Sequence, residues 1–193
     1  MQGLIDADSR SAEEIALLGK QQIHVLPVVE IENIFLIPTV FEALAAALHH
    51  VASTSTQMLQ NLTDKAIARA SEDIEGVSVR HAIRRLDSML KRVGIAAKDL
   101  PTLTANYSKE VGAIDPATNY TEMKQRLEKS ILARDLPALL SVYDNKGLFA
   151  EAASILGLRN KNELQDFVSR LLSRPDGKAL RGALADVMPR INP

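Results

Sequence analysis

The chain reads as an α/β unit followed by a mostly α region, on three observations. Two short apolar runs, Leu4-Ile5 and Ile23-His24-Val25-Leu26-Pro27-Val28, flank a stretch of helix length, which is the pattern of a strand–helix–strand unit. From Pro38 onward the apolar residues recur at helical rather than strand spacing. Aromatic residues make up only 4% of the 193 residues and Trp is absent, so Leu, Ile, Val and Ala must build the core, a composition suited to helix packing.

Leu4 and Ile5 form the first expected strand, and Asp6 and Asp8 close it. Ser11 followed by Glu14 has the capping-box spacing, so a helix is predicted through Ile15, Leu17 and Leu18, ending near Gly19. The run from Ile23 to Val28 is the second strand, parallel to the first through a right-handed crossover. Phe41, Leu44, Ala45, Leu48 and Val51 lie on one face of a helix that begins at Pro38.

After the Ser53-Thr54-Ser55-Thr56 cluster, a turn or a fresh N-cap, a long helical tract runs to about Val93. Within it Val79, Ile83, Leu86, Leu90 and Val93 step 4, 3, 4, 3, the spacing of a coiled-coil seam, and Gly76 is a candidate bend. Pro101, Gly112 and Pro116 mark residues 94–116 as a loop or linker. Helix resumes at Tyr120. Asp135-Leu136-Pro137 reads as an N-cap with proline in the first turn, and Tyr143-Asp144-Asn145-Lys146-Gly147 as a polar turn. Two further amphipathic helices carry Leu164, Phe167, Val168, Leu171 and Leu172, then Leu180, Leu184 and Val187. The expected organisation is an α/β segment over 1–38, a helical insertion with a long hairpin over 39–134, and a helical segment over 135–193.

Composition removes several chemistries. With no cysteine, disulfide frameworks, thiolate zinc sites and thiol nucleophiles are excluded, which fits a cytoplasmic protein. No basic, apolar leader precedes the first strand. Ile34 to Leu48 is broken by Pro38 and Glu42 and falls short of the roughly 20 residues of a spanning helix, so no membrane partner is expected. Net charge is −1, too small to attract nucleic acid globally. Locally, residues 80–92 carry Arg80, Arg84, Arg85, Lys91 and Arg92 against Asp87, a face that could follow a DNA backbone or simply be solvated.

The chemistry concentrates around Asp6 and Asp8. Side chains alternate along a strand, so both carboxylates leave on one side, at the carboxyl end where open α/β sheets bind ligands. Two carboxylates there suit a hard divalent cation, with a solvated turn as the competing reading. Glu30, Glu32 and Asn33 follow the second strand at the same end, so two acidic clusters from separate loops are expected to converge. His24 reads as a structural histidine. His49 and His50, adjacent on a helix, face apart and cannot chelate one ion together. Ser9 lacks histidine and aspartate partners at a triad spacing.

With Asp6-Ala-Asp8, the strand–helix–strand unit and Glu30-Ile-Glu32-Asn33 in place, the sequence resembles the C-terminal Toprim-type region of the overcoming-lysogenisation-defect (OLD) class, AAA/ABC-type ATPases with a nuclease-like tail. The resemblance covers residues 3–38 closely and the remainder loosely. It implies a partial Toprim-like, Rossmann-like parallel βαβ unit ahead of the α-helical region. It also implies a Mg²⁺- (or Mn²⁺-) dependent DNA nuclease acting by phosphodiester hydrolysis, in phage defence. On it Asp6, Asp8 and Glu30 would be metal ligands, Glu32 and Asn33 would orient those ligands or a second ion, and Lys146 would neutralise the scissile phosphate. Lys146 and Glu32 are thus the expected catalytic residues. Arg10 could pair with phosphate or with Glu13 or Glu14.

The sequence departs from that family in three places. No strand with its glutamate precedes Gly3, no Gly-x-x-x-x-Gly-Lys-Ser/Thr loop is present, and Val29 stands where relatives often carry a basic residue. The chain is therefore expected to be the tail of a longer protein, inactive alone, with ATP entering only through an N-terminal ATPase part. That part or a partner subunit, and DNA, are the expected partners, and a homo-oligomer is expected because a two-strand unit leaves a sheet edge unpaired. Two other classes compete. One is a non-catalytic helical interaction module of an AAA-type ATPase. The other is a haloacid-dehalogenase-like phosphatase, which also opens with a strand and Asp-x-Asp but has Thr or Val where Arg10 stands.

Overall fold

A computed structural model describes residues 3–7, 10, 12–91 and 97–189. β1 (Gly3–Ile5) and β2 (Ile23–Val25) pair in parallel, with Gly3 opposite Ile23 and Ile5 opposite Val25. α1 (Ala12–Lys20) connects them and packs on β2. Its expected Ser11 cap lies outside the described residues. Gly19 is inside the helix rather than beyond it, and Gln22 makes the turn into β2 with φ of 60°. The ladder continues past the strands: Leu26 N–H donates to Ile5 O, and Ala7 N–H to Val28 O. The chain around Pro27 is thereby pinned beside the end of β1.

A 3₁₀ segment (Ile31–Leu36) follows, then α2 (Pro38–Ala47), α3 (Ala52–Glu72), α4 (Ile74–Leu90), α5 (Leu100–Gly112) and α6 (Pro116–Ala133). Next come α7 (Leu136–Leu140), α8 (Gly147–Ile155), α9 (Lys161–Leu172) and α10 (Lys178–Val187). The described chain is thus mostly helical around a small parallel pair. One hydrophobic core runs from Leu26 and Val28 through Phe41, Leu62 and Leu127 to Leu139, Leu164 and Leu180. All three expected segments contribute to it. Val29 N–H donates to Leu140 O, so the exit of β2 is held directly by α7.

The helices differ from their sequence reading in four informative places. Residues 94–116 were expected as loop, yet α5 occupies much of this stretch. Asp99 caps it by accepting from Thr102 N–H, and Pro101 sits in the first turn, where a missing N–H costs nothing. The expected turn at 53–56 is instead the first turn of α3; Ser55 and Thr56 donate their hydroxyls back to Val51 and Ala52 carbonyls. The long tract breaks at Asp73, not at Gly76. A Cβ at Gly76 would lie 2.1 Å from Asp73 Oδ1, so a larger residue there would have to displace the Asp73 side chain.

The fourth difference is the seam of α4. Val79, Ile83 and Leu90 are 47%, 59% and 50% exposed, while Val77, Ser78 and Ala82 are buried. α4 packs chiefly on α6, and two of its three buried residues are small. Periodicity finds an apolar stripe, but it cannot say which of two stripes meets the neighbour.

Candidate functional site

Glu30 is the N-cap residue of the 3₁₀ segment, but its side chain makes no capping bond. The carboxylate is free to turn toward the Tyr143–Gly147 loop, where Lys146 Nζ lies 3.6 Å from Glu30 Oε2. Glu30 is only 16% exposed there, whereas Lys146 is 75% exposed. Burial pushes the Glu30 carboxyl above its ordinary value of 4.5, Lys146 draws it back, and Glu32 and Asp144 push it further up. Glu30 and Glu32 thus share a neighbourhood with one accessible ammonium, while the nearby Asp144 is neutralised by Arg80 and Arg84.

The loop that delivers Lys146 is rigid for visible reasons. Tyr143 is buried, and its hydroxyl oxygen accepts from Asn145 Nδ2. Asn145 Oδ1 accepts from Gly147 N–H at 2.7 Å, so the turn is closed by its own side chain. Asp144, 5% exposed, accepts from Arg80 and from Arg84 across from α4. Arg80 also reaches Asp73. These bonds hold the Arg80 guanidinium well above its ordinary pKa. Asp144 was not among the residues singled out by sequence; its only signal was a polar run between two apolar helices.

The other expected residues divide as follows. Asp6 stands just past β1, half-buried, where the strand end was expected to place it. Asp8 and Ser9 lie outside the described residues. Glu32 is half-buried near Glu30, and Asn33 is fully buried in the same segment. Asn33 N–H donates to Glu30 O at 2.9 Å, and its side-chain amide has no hydrogen-bond partner among the described residues. Arg10 is half-buried in a pocket beside Ala7. Glu30, Glu32 and Lys146 are therefore brought together, whereas Asp6 is not among the charges acting on Glu30. Among the described residues no three carboxylate or imidazole groups are close enough to hold a metal ion.

The basic face of α4 is largely spoken for. Arg80 and Arg84 bind Asp144, Arg85 pairs with Glu14, and Lys91 pairs with Asp87. Arg92 lies outside the described residues. His50 closes on Leu156 O at 3.3 Å, while His49 takes φ of 65° beyond the end of α2. Neither histidine extends the helix.

No protein-family model matches the chain, and no match was found among curated proteins or solved structures.

The raised Glu30 carboxyl makes a testable prediction. A group whose folded-state pKa is raised adds stability that is present below its unfolded pKa and is lost as pH climbs through the folded value. Wild type should therefore lose stability relative to Glu30→Gln between about pH 4 and about pH 7, as read by urea denaturation at both. Lys146→Met should widen that gap, because it removes the one group that draws the carboxyl down most. The opposite trend would show that Lys146, not burial, controls Glu30.

Proposed function

We propose that this chain is the Toprim-like C-terminal part of an ATPase-associated, Mg²⁺-dependent DNA nuclease, requiring an N-terminal ATPase part for turnover. The observation that carries the reading is the meeting of Lys146 with Glu30 from distant parts of the chain. The resemblance assigned these two residues separately, one to phosphate and one to metal. Support also comes from Asp6, which ends a strand of a parallel pair, with Glu30 and Glu32 following the second strand.

Oxygen donors are the right kind for Mg²⁺ or Mn²⁺, and Glu30 and Glu32, which act on one another beside Lys146, are the donors this reading assigns there together with Asp6. When bound, such an ion would supply the activated water of phosphodiester hydrolysis. The protein's own part is to hold the carboxylates at the strand ends and to keep the Lys146 ammonium in reach of a phosphate oxygen.

Two measurements test this. Mn²⁺ should raise the melting temperature of wild type, and Asp6→Ala and Glu30→Gln should each abolish the rise. The chain joined to its ATPase part should nick supercoiled plasmid with Mg²⁺ or Mn²⁺, and Lys146→Met should not. A wild type indifferent to metal, or nicking that survives Lys146→Met, would end the proposal.

One observation favours the second reading, a helical interaction module. The outer stripe of α4 is accompanied by Leu100, Leu103 and Tyr107 of α5, also exposed, and α5 buries no residue at all. Such a surface fits a partner helix, including one from a second copy of the chain. No described helix is long and apolar enough to cross a membrane.

A further inference from the structure

At the carboxyl end of β1 a pocket of about 170 Å³ is lined by Ala7, Arg10, Pro27, His81, Arg126 and Ser141, among others. Arg10 Nε is buried in it and makes no hydrogen bond within the described chain. A buried guanidinium N–H without an acceptor is costly, more so than a neutral one. Arg126, on the exposed face of α6, points to the same pocket and has no ion pair within the described chain. Glu14 is engaged by Arg85, and Asp135 by the Ala138 N–H of α7.

We propose that this pocket binds a single phosphate group. Two arginines lining one small space, one of them with a buried unpaired Nε–H, match a tetrahedral oxyanion, which arginine grips through paired N–H donors. The volume lies below the roughly 300 Å³ at which drug-sized ligands are enclosed, so a phosphate fits and a nucleoside does not. A second groove, about 300 Å³, shares Arg126 and Ser141 with the first and adds Lys129. Anything esterified to the phosphate would leave along it. The site is formed by Arg10 from the β1–α1 loop and Arg126 from α6, two segments joined only in the fold. Neither Glu30 nor Lys146 lines it, so loss of phosphate binding here and loss of metal binding at Glu30 are read separately.

The test uses the chain alone, without metal. Phosphorus NMR titration and calorimetry would compare inorganic phosphate, a 5′-phosphorylated dithymidine and the same dinucleotide without its 5′-phosphate. Inorganic phosphate and the probe with a terminal phosphomonoester should bind, and the third, which carries only the internucleotide diester, should bind at least tenfold more weakly. Preference for the dinucleotide would assign the site to strand ends; equal binding would assign it to free phosphate. Arg126→Gln and Arg10→Gln should each weaken phosphate binding about tenfold. Arg134→Gln, which removes an exposed guanidinium paired to Asp64 elsewhere on the surface, should not. If Arg10→Gln fails to fold, Arg126→Gln decides. Absence of binding at millimolar phosphate, or equal weakening by Arg134→Gln, would overturn the assignment.

Discussion

Phe41→Ala should lower the unfolding free energy by about 3–5 kcal/mol, the range for emptying a phenylalanine site in a packed core. Phe41 is fully buried, and α2 touches α3, α10 and the 3₁₀ segment. Removing its ring opens a cavity where the first and last parts of the chain meet, so the surroundings cannot collapse without moving two segments at once. In a domain of this size each kcal/mol shifts the melting temperature by roughly 2–4 °C, so a fall of roughly 10 °C is expected by calorimetry. Leu132→Ala serves as the contrast. Leu132 is 84% exposed, and a change there should stay within about 0.5 kcal/mol. A Phe41→Ala protein as stable as wild type would mean that the helical segments do not share one core.

Asp144→Ala should cost about 2 kcal/mol, for a different reason. Asp144 is almost fully buried and accepts from two guanidinium groups. Breaking a fully buried ion pair costs about 3–5 kcal/mol because a charge is left stranded. Here Arg80 and Arg84 remain 42% and 43% exposed and regain water, so the loss should fall below that range. Asp144→Asn keeps an acceptor oxygen and should lose about half as much, in line with the added strength of bonds to charged groups. Urea denaturation of the two variants separates charge from geometry. Because Asp144 also pushes the Glu30 carboxyl upward, Asp144→Ala should lower the Glu30 pKa modestly, detectable by carbon NMR of the side-chain carboxyl. Equal stability of all three proteins would show that the Tyr143–Gly147 loop holds its shape through Tyr143 and Asn145 alone.

How much of this could be read without coordinates depends on whether the signal was local. The parallel strand pair was legible because Leu4-Ile5 and the Ile23 run bracket a helix-length spacer. Asp135 and Pro137 announced α7 because capping is a matter of three consecutive residues. Pro101 misled for the same local reason, since a proline in a helix's first turn and a proline in a loop look alike until the cap is seen. The candidate site was half legible: Glu30, Glu32 and Lys146 were named from the sequence. The nearness of Lys146 to Glu30, and the part played by Asp144, were not legible.

The sequence by itself determined the parallel strand pair, most of the helices, and the aliphatic character of the core. Only the tertiary structure decided which stripe of α4 is buried, that its arginines are consumed by Asp144, Asp73 and Glu14, and that Arg10 and Arg126 face one pocket. The physical reason is that helix and strand preferences arise within a few neighbouring residues. Charge pairing and burial instead depend on distances between segments that the chain brings together only when it packs.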